Sequence, residues 1–190
     1  MFSDSTNQTC FVRKYKEMRA FIAGIIDKNQ LDLTVRLRDS LALSAVRSRP
    51  TARENLHITL EFLGDITRQE AEKAGKVLED LDFTSVPFTI DKLGSFRSRE
   101  GLTVWAGPGR APELMGLQRR LHRALLQEGF KLEERRFVPH ITLLRKAIAP
   151  VLPEALDPIP GRISTITLFE SELRREGPLY TAIVSVIGRH

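Results

Sequence analysis

The stretch ENLHITLEFLGD (residues 54–65) contains the tetrapeptide His-Ile-Thr-Leu, and the same tetrapeptide recurs in RRFVPHITLLRK (residues 135–146). The two histidines, His57 and His140, are 83 residues apart. This spacing is too long for a short local repeat and is typical of a duplicated lobe. The repeated tetrapeptide therefore predicts two similar lobes within one chain.

Both copies have the composition of a β-strand, in which successive side chains point to opposite faces. Alternation places the histidine and the threonine of each copy together on one face, His57 with Thr59 and His140 with Thr142. The intervening apolar residues are expected on the opposite, buried face: Leu56, Ile58, Leu60 and Phe62 in the first strand, Ile141 and Leu143 in the second.

Two imidazoles and two hydroxyls facing one cleft suit phosphodiester cleavage by general acid and base. A neutral histidine takes a proton from the attacking water, and a protonated histidine gives one to the leaving oxygen. The ordinary pKa of histidine, about 6.5, allows both forms near neutral pH. Threonine hydroxyls can donate hydrogen bonds to phosphate oxygens. The residues thus predict a phosphoesterase that needs no metal and no other cofactor.

Other chemistries fit the motifs less well. A zinc ion shared by His57 and His140 would need Asp, Glu or water as further ligands, because Cys10 is the only cysteine and no HExxH motif is present. The chain also has no G-x-S-x-G motif, no P-loop and no G-x-G-x-x-G motif. His122 lies within a helical pattern and His190 ends the chain, so we expect both at the surface.

Composition limits the compartment and the partners. The net charge is +5, and 21 of the 29 basic residues are arginines. Arginine's planar guanidinium suits phosphate, which favours an anionic partner such as RNA, although many basic domains bind no nucleic acid. No segment approaches the roughly 18 apolar residues of a membrane helix, and residues 1–16 have no apolar signal core. A single cysteine excludes an intramolecular disulfide, so we expect a cytoplasmic protein.

The hydrophobic pattern predicts an α+β fold. Helices are expected over residues 29–44, 68–81 and 112–128, the second with a Thr67–Glu70 capping box and the third with a leucine face that ends at Gly129. RSRPTAREN (residues 47–55) is predicted to be a loop. Besides the two HITL segments, the predicted strands are RAFIAGI (19–25), PFTIDKLGSF (87–96), LTVWAGP (102–108), RISTITLFESEL (162–173) and LYTAIVSVIG (179–188).

These motifs resemble those of the 2H phosphoesterase superfamily and, within it, the LigT-like RNA 2′,3′-cyclic phosphodiesterases. The resemblance rests on five segments: MRAFIAGI, ENLHITLEFLGDI, LTVWAG, FVPHITLLR and LFESELRREGPLYTAI. It implies a bilobal, duplicated α+β fold, in which two antiparallel-rich sheets flanked by helices surround a central cleft.

The resemblance also implies the reaction and the roles of individual residues. An RNA 2′,3′-cyclic phosphate would be opened to a 2′-phosphate without a metal, with His57 as the proton donor and His140 as the proton acceptor. Thr59 and Thr142 would hold the phosphate. Arg145, five residues after His140, would neutralise the phosphate charge, although strand alternation points it away from His140 unless the strand bends.

Several expectations stay open at this point. Ligation or cleavage of 2′-5′ RNA linkages uses related chemistry, and a non-catalytic nucleotide or RNA-binding module of the same fold is the alternative from another class. The partner is expected to be RNA or a nucleotide with a 2′,3′-cyclic phosphate, and the protein a monomer. Phe62 and Trp105 are suitable for stacking on a base, but both lie in apolar strands and are expected in the core.

The 17 residues before Met18 set this chain apart from relatives, which commonly begin near an MRxFIA strand. We expect residues 1–17 to be a disordered extension or the result of a misassigned start codon. Residues 18–190 would then form a single bilobal domain.

Overall fold

The computed structural model describes residues 17–175 and 177–189, which fold into two antiparallel sheets and three α-helices. The helices are α1 (Lys28–Ser44), α2 (Arg68–Asp80) and α3 (Pro112–Gln127). The strands are β1 (Met18–Ile26), β2 (Arg47–Pro50), β3 (Ile58–Ile66), β4 (Val86–Ile90), β5 (Lys92–Ser98), β6 (Gly101–Gly107), β7 (Ile141–Ile148), β8 (Ile159–Leu173) and β9 (Pro178–Ile187).

Each HITL motif belongs to a different sheet. The first sheet has the order β3-β1-β8, and the other edge of the long strand β8 pairs with β4 and then with β9. The second sheet has the order β2-β7-β6-β5. The first motif runs into β3 and the second into β7. The predicted α+β fold with two antiparallel sheets is confirmed.

Helix α2 begins where its capping box predicts. The Thr67 hydroxyl accepts a hydrogen bond from the Glu70 backbone N–H at 3.2 Å, and the Glu70 carboxylate accepts one from the Thr67 backbone N–H at 2.7 Å. Together they satisfy two N–H groups that have no partner within the helix. The Glu70 carboxylate also accepts a hydrogen bond from the Thr67 hydroxyl, and the two bonds that it accepts from Thr67 lower its pKa.

Helix α3 buries the leucine face that its periodicity predicts. Pro112 lies in its first turn, and Gly129 ends the last turn with φ +85°. A conformation with positive φ costs glycine little because it has no Cβ. Four leucines of α3 are fully buried: Leu114, Leu117, Leu121 and Leu125.

One loop prediction and one strand prediction were wrong. Residues 47–50 form the edge strand β2 rather than a loop. Proline, which has no backbone N–H, is tolerated there because one side of an edge strand makes no hydrogen bonds to a neighbouring strand. The segment at residues 87–96 is two strands rather than one: the chain leaves the first sheet after Ile90 and enters the second at Lys92. Asp91 occupies this crossing, and its carboxylate accepts a hydrogen bond from Gly109 N–H.

Residues 1–16, for which a disordered extension or a misassigned start codon was predicted together with residue 17, lie outside the described part of the chain. His190, which was predicted at the surface, also lies outside it. Within the described part, every helix is either too short or too polar to cross a bilayer.

Candidate active site

His57 lies at the start of β3 in an aromatic cage contributed by the first sheet. Its ring stacks on Phe21 with centroids 5.1 Å apart, and the edge of Tyr180 meets it at 5.5 Å. Phe169 stacks on Phe21 at 5.4 Å and also lies 6.3 Å from the His57 ring, centroid to centroid. The cage excludes much of the water from the imidazole while leaving it partly accessible.

Two hydrogen bonds orient the His57 ring. Nε2 lies 3.2 Å from the Thr59 hydroxyl oxygen, and the Asn55 backbone also bonds the imidazole. Because Nε2 faces Thr59, the Asn55 carbonyl is left to accept from Nδ1–H. The Nε2 lone pair is therefore on the side of the threonine.

The pKa of His57 is lowered from 6.5 to about 4. Burial is the main cause, and the positive charges of Arg145 and His140 act in the same direction, while the Asn55 hydrogen bond opposes them. The charge effect of His140 also indicates that the two motif histidines, which belong to different sheets, are close enough to interact.

His140 is held in a matching way. Its Nδ1 lies 2.8 Å from the Val138 carbonyl oxygen, which can only accept, so Nδ1 carries the proton. The ring meets the edge of Phe96 at 5.2 Å and lies 6.0 Å from Trp105. In both motifs, the histidine thus bonds the backbone two residues before it, which leaves Nε2 as the nitrogen without a proton in the neutral ring.

The first HITL strand contains a β-bulge at its leucine. Thr59 pairs with Ala23 of β1, but the next residue of β1, Ile22, pairs with Glu61. Leu60 is therefore an extra residue that keeps its side chain buried while the alternation after it is reversed.

The second HITL strand has its bulge at the equivalent leucine. Thr142 pairs with Trp105 of β6, whereas the next residue of β6 towards its start, Val104, pairs with Leu144. Leu143 is the extra residue, and both leucines are fully buried. The two motifs thus share a backbone irregularity as well as a tetrapeptide.

The bulge in β7 returns Arg145 to the face of His140 and Thr142. Its charge lowers the pKa of His57, and its guanidinium hydrogen-bonds the Tyr180 side chain, which belongs to the first sheet. The bulge supplies the bend that Arg145 requires in order to reach the site.

The bulge in β3 likewise turns Phe62 out of the core, so the prediction that Phe62 is a core residue was wrong. The Phe62 side chain is 43% exposed, and its ring centroid lies 6.3 Å from that of Phe21. The Arg135 guanidinium lies over the Phe62 ring, 5.4 Å from its centroid. Trp105 is buried, as predicted, but it packs beside His140.

The same reversal of alternation buries Glu61, which pairs with His122 of α3. The His122 Nδ1 lies 2.7 Å from the Glu61 carboxylate, which also accepts from Gln118 at 3.3 Å. The His122 side chain is 26% exposed, so it lies only partly at the surface, and the bulge directs the Glu61 carboxylate from β3 towards it.

The site also contains a tyrosine that the motif analysis did not single out. Burial raises the pKa of Tyr180 above its ordinary value, with the charges of Arg145 and Arg19 opposing the rise. The hydroxyl therefore stays protonated near neutral pH and can donate a hydrogen bond.

Three aromatic neighbours, Phe21, Phe96 and Phe169, were also missed, since a β-strand pattern does not say which partner strand lies beside a histidine. The sequence contains only a weak indication that these aromatic residues belong to the site. Phe21, Phe169 and Tyr180 lie in MRAFIAGI and LFESELRREGPLYTAI, two of the segments that resemble the 2H phosphoesterases.

Among residues 17–175 and 177–189, no group of three or more His, Cys, Asp or Glu side chains is positioned to share a metal ion.

The sequence comparisons agree on one family. The model of the 2′-5′ RNA ligase superfamily matches residues 32–175. The RNA 2′,3′-cyclic phosphodiesterase of Aeropyrum pernix is 35% identical over 162 residues, which cover 80% of this chain and 92% of the relative. The protein of the same name from Methanothermobacter thermautotrophicus is 30% identical over 177 residues, which cover 87% and 96%.

The structural comparison agrees with the sequence comparisons. The crystal structure of E. coli LigT complexed with 3′-AMP superposes with a TM-score of 0.77 at 26% identity and covers 92% of this chain and 100% of LigT. The resemblance drawn from the repeated motifs is thereby confirmed. The chain belongs to the 2′-5′ RNA ligase superfamily.

Proposed function

We propose that the protein opens 2′,3′-cyclic phosphates at RNA 3′ ends and leaves 2′-phosphates. The observation that carries this proposal is that His140 and Arg145 of the second sheet lie close enough to His57 of the first to influence its ionisation, so that the two HITL motifs approach each other. The relatives named RNA 2′,3′-cyclic phosphodiesterase support the same reaction.

The proposed reaction uses each histidine once. His140 takes a proton from water as the water oxygen bonds to phosphorus. His57 gives its proton to the ribose 3′-oxygen as the bond between that oxygen and phosphorus breaks. Thr59 and Thr142 donate hydrogen bonds to the non-bridging oxygens, and Arg145 stabilises the negative charge that develops on them.

The low pKa of His57 means that the free site holds this imidazole neutral near pH 7. A bound phosphate places a negative charge beside the ring, and an opposite charge favours the protonated form. His57 therefore acquires its proton together with the substrate, and the site is set for acid catalysis only when a phosphate is present.

The site is completed by residues of both sheets within one chain, which supports a single bilobal domain over residues 18–190 that acts as a monomer. An RNA substrate and the single cysteine support a cytoplasmic protein. Ligation of 2′-5′ RNA ends is the same displacement at the cyclic phosphate with an RNA 5′-hydroxyl in place of water, and the name of the matching family favours it as a second activity.

The proposal predicts the product and its independence of metal. With excess EDTA, the protein should convert 2′,3′-cyclic UMP and RNA with a cyclic end to 2′-phosphates at an unchanged rate, as followed by chromatography against 2′- and 3′-phosphate standards. 2′-5′ oligonucleotides are tested as a third kind of substrate, and their cleavage would indicate the second activity.

Binding without turnover would favour a non-catalytic module, and loss of activity in EDTA that added metal restores would contradict the metal-independent reaction.

A further inference from the structure

We propose that a groove beside the catalytic cleft binds the next phosphate of the RNA strand, so that a charged oligonucleotide is used in preference to a mononucleotide. This inference rests on the proposed function. The groove has a volume of about 310 Å³ and lies between the segment that joins β2 to β3 and the turn that joins β8 to β9. It shares Arg145 and Tyr180 with the candidate active site.

Among the described residues, three arginines line the groove, Arg49, Arg145 and Arg174, against one acidic residue, Glu54. Arg174 lies 3.0 Å from Glu172, which contributes a further carboxylate nearby. Within the described part of the chain, Arg49 and Arg145 have no carboxylate partner, so the positive charge of the groove is not cancelled there.

The two arginines without carboxylate partners face each other across adjacent strands. Arg49 of β2 pairs in register with Arg145 of β7. Like charges directly opposite in an antiparallel pair are destabilising, and a bound anion between them removes that repulsion. Arginine also presents a planar fork that matches the oxygens of a phosphate.

The groove also holds polar groups suited to a phosphodiester. The Thr51 hydroxyl oxygen is buried and has no hydrogen-bond partner among the described residues. The Arg49 Nη2 donates to the Arg175 carbonyl at 3.3 Å, which holds the guanidinium against the β8–β9 turn. A site prepared in this way requires little reordering of side chains when the anion binds.

One residue connects the groove to the catalytic cleft. Asn55 donates from Nδ2 to the Pro178 carbonyl at 3.0 Å, and its own backbone bonds the imidazole of His57. An RNA strand whose cyclic end lies at His57 therefore has the arginine-lined groove beside it. A 2′,3′-cyclic mononucleotide has no second phosphate to place there.

The test compares three substrates: 2′,3′-cyclic UMP, the dinucleotide UpU with a 2′,3′-cyclic end, and the same dinucleotide with an uncharged methylphosphonate between its nucleosides. Wild type is expected to open the charged dinucleotide with a kcat/KM about tenfold or more above that of the methylphosphonate, since charge-assisted hydrogen bonds are strong. Arg49→Gln should remove this difference and leave mononucleotide opening unchanged.

Arg68→Gln, which removes an exposed arginine of α2, is the matched control and should keep the full preference. Arg174→Gln tests the groove from its other wall if Arg49→Gln does not fold. Equal use of the two dinucleotides by wild type, a preference that survives in Arg49→Gln, or equal losses on all three substrates would overturn the inference.

Failure of the proposed function has a separate signature, in which wild type opens none of the three substrates. The dissociation constants of the two dinucleotides then test whether the groove binds a phosphate. Tighter binding of the charged dinucleotide by wild type, lost in Arg49→Gln, supports the inference, and equal affinities in wild type overturn it.

Discussion

Replacing either motif histidine with alanine is expected to lower kcat for opening 2′,3′-cyclic UMP by about 10²- to 10⁴-fold, the usual contribution of a positioned acid or base. His57→Ala removes the proton donor to the leaving oxygen, and His140→Ala removes the acceptor that activates water. His122→Ala is the matched control, because this histidine pairs with Glu61 on the opposite face of β3. Near-wild-type kcat in either motif variant would contradict paired catalysis.

The same variants separate the two roles when the leaving group is changed. Thymidine 3′-(p-nitrophenyl phosphate) has no 2′-hydroxyl, and its nitrophenolate departs without a proton. His57→Ala should therefore lose less than about tenfold on this ester, whereas His140→Ala should lose as much as on the cyclic phosphate. The opposite pattern would exchange the acid and base assignments.

The stability of the free protein is expected to fall by about 3 kcal/mol as the pH drops from 6.5 to 4 because of His57 alone. The folded-state pKa, about 4, lies below the ordinary value of 6.5, so the unfolded chain binds more protons between these pH values. The free energy of unfolding therefore rises with pH across this window. This contribution is complete above about pH 6.5 and absent below about pH 4.

Urea unfolding at a series of pH values measures this contribution as a difference between variants. His57→Gln should flatten the curve between pH 4 and 6.5 relative to wild type, while His140→Gln should retain most of its slope because burial is the main cause of the shift. Curves for wild type and His57→Gln that run parallel would contradict a buried neutral imidazole. Saturating phosphate should also reduce the slope, since it favours the protonated ring.

Local chemistry was sufficient to predict the three helices and the two strands that follow the motif histidines. The capping box at Thr67 and the leucine face of α3 depend on neighbours within one or two turns, and both are present. Strand alternation also gave the correct faces for the histidine and threonine of each motif, since each pair precedes the bulge.

Features that depend on the partner strand could not be predicted in this way. A bulge is a mismatch of register between two strands, so the sequence of β3 or β7 alone does not reveal it. The reversal at Leu60 exposed Phe62 and buried Glu61, and the reversal at Leu143 brought Arg145 to the cleft. The edge strand β2 was missed for a related reason, because its polar residues and Pro50 are typical of a loop.

The central claim is that one phosphate is held by both motifs at once, and the most direct test is a titration of the imidazole NMR signals with 2′-UMP, the expected product. The signals of His57 and His140, assigned with the two His→Gln variants, should shift together with one dissociation constant at one nucleotide per chain. The signal of His122 should stay unchanged and serve as the internal control. A shift of only one motif histidine, or shifts with two different affinities, would contradict a shared phosphate site.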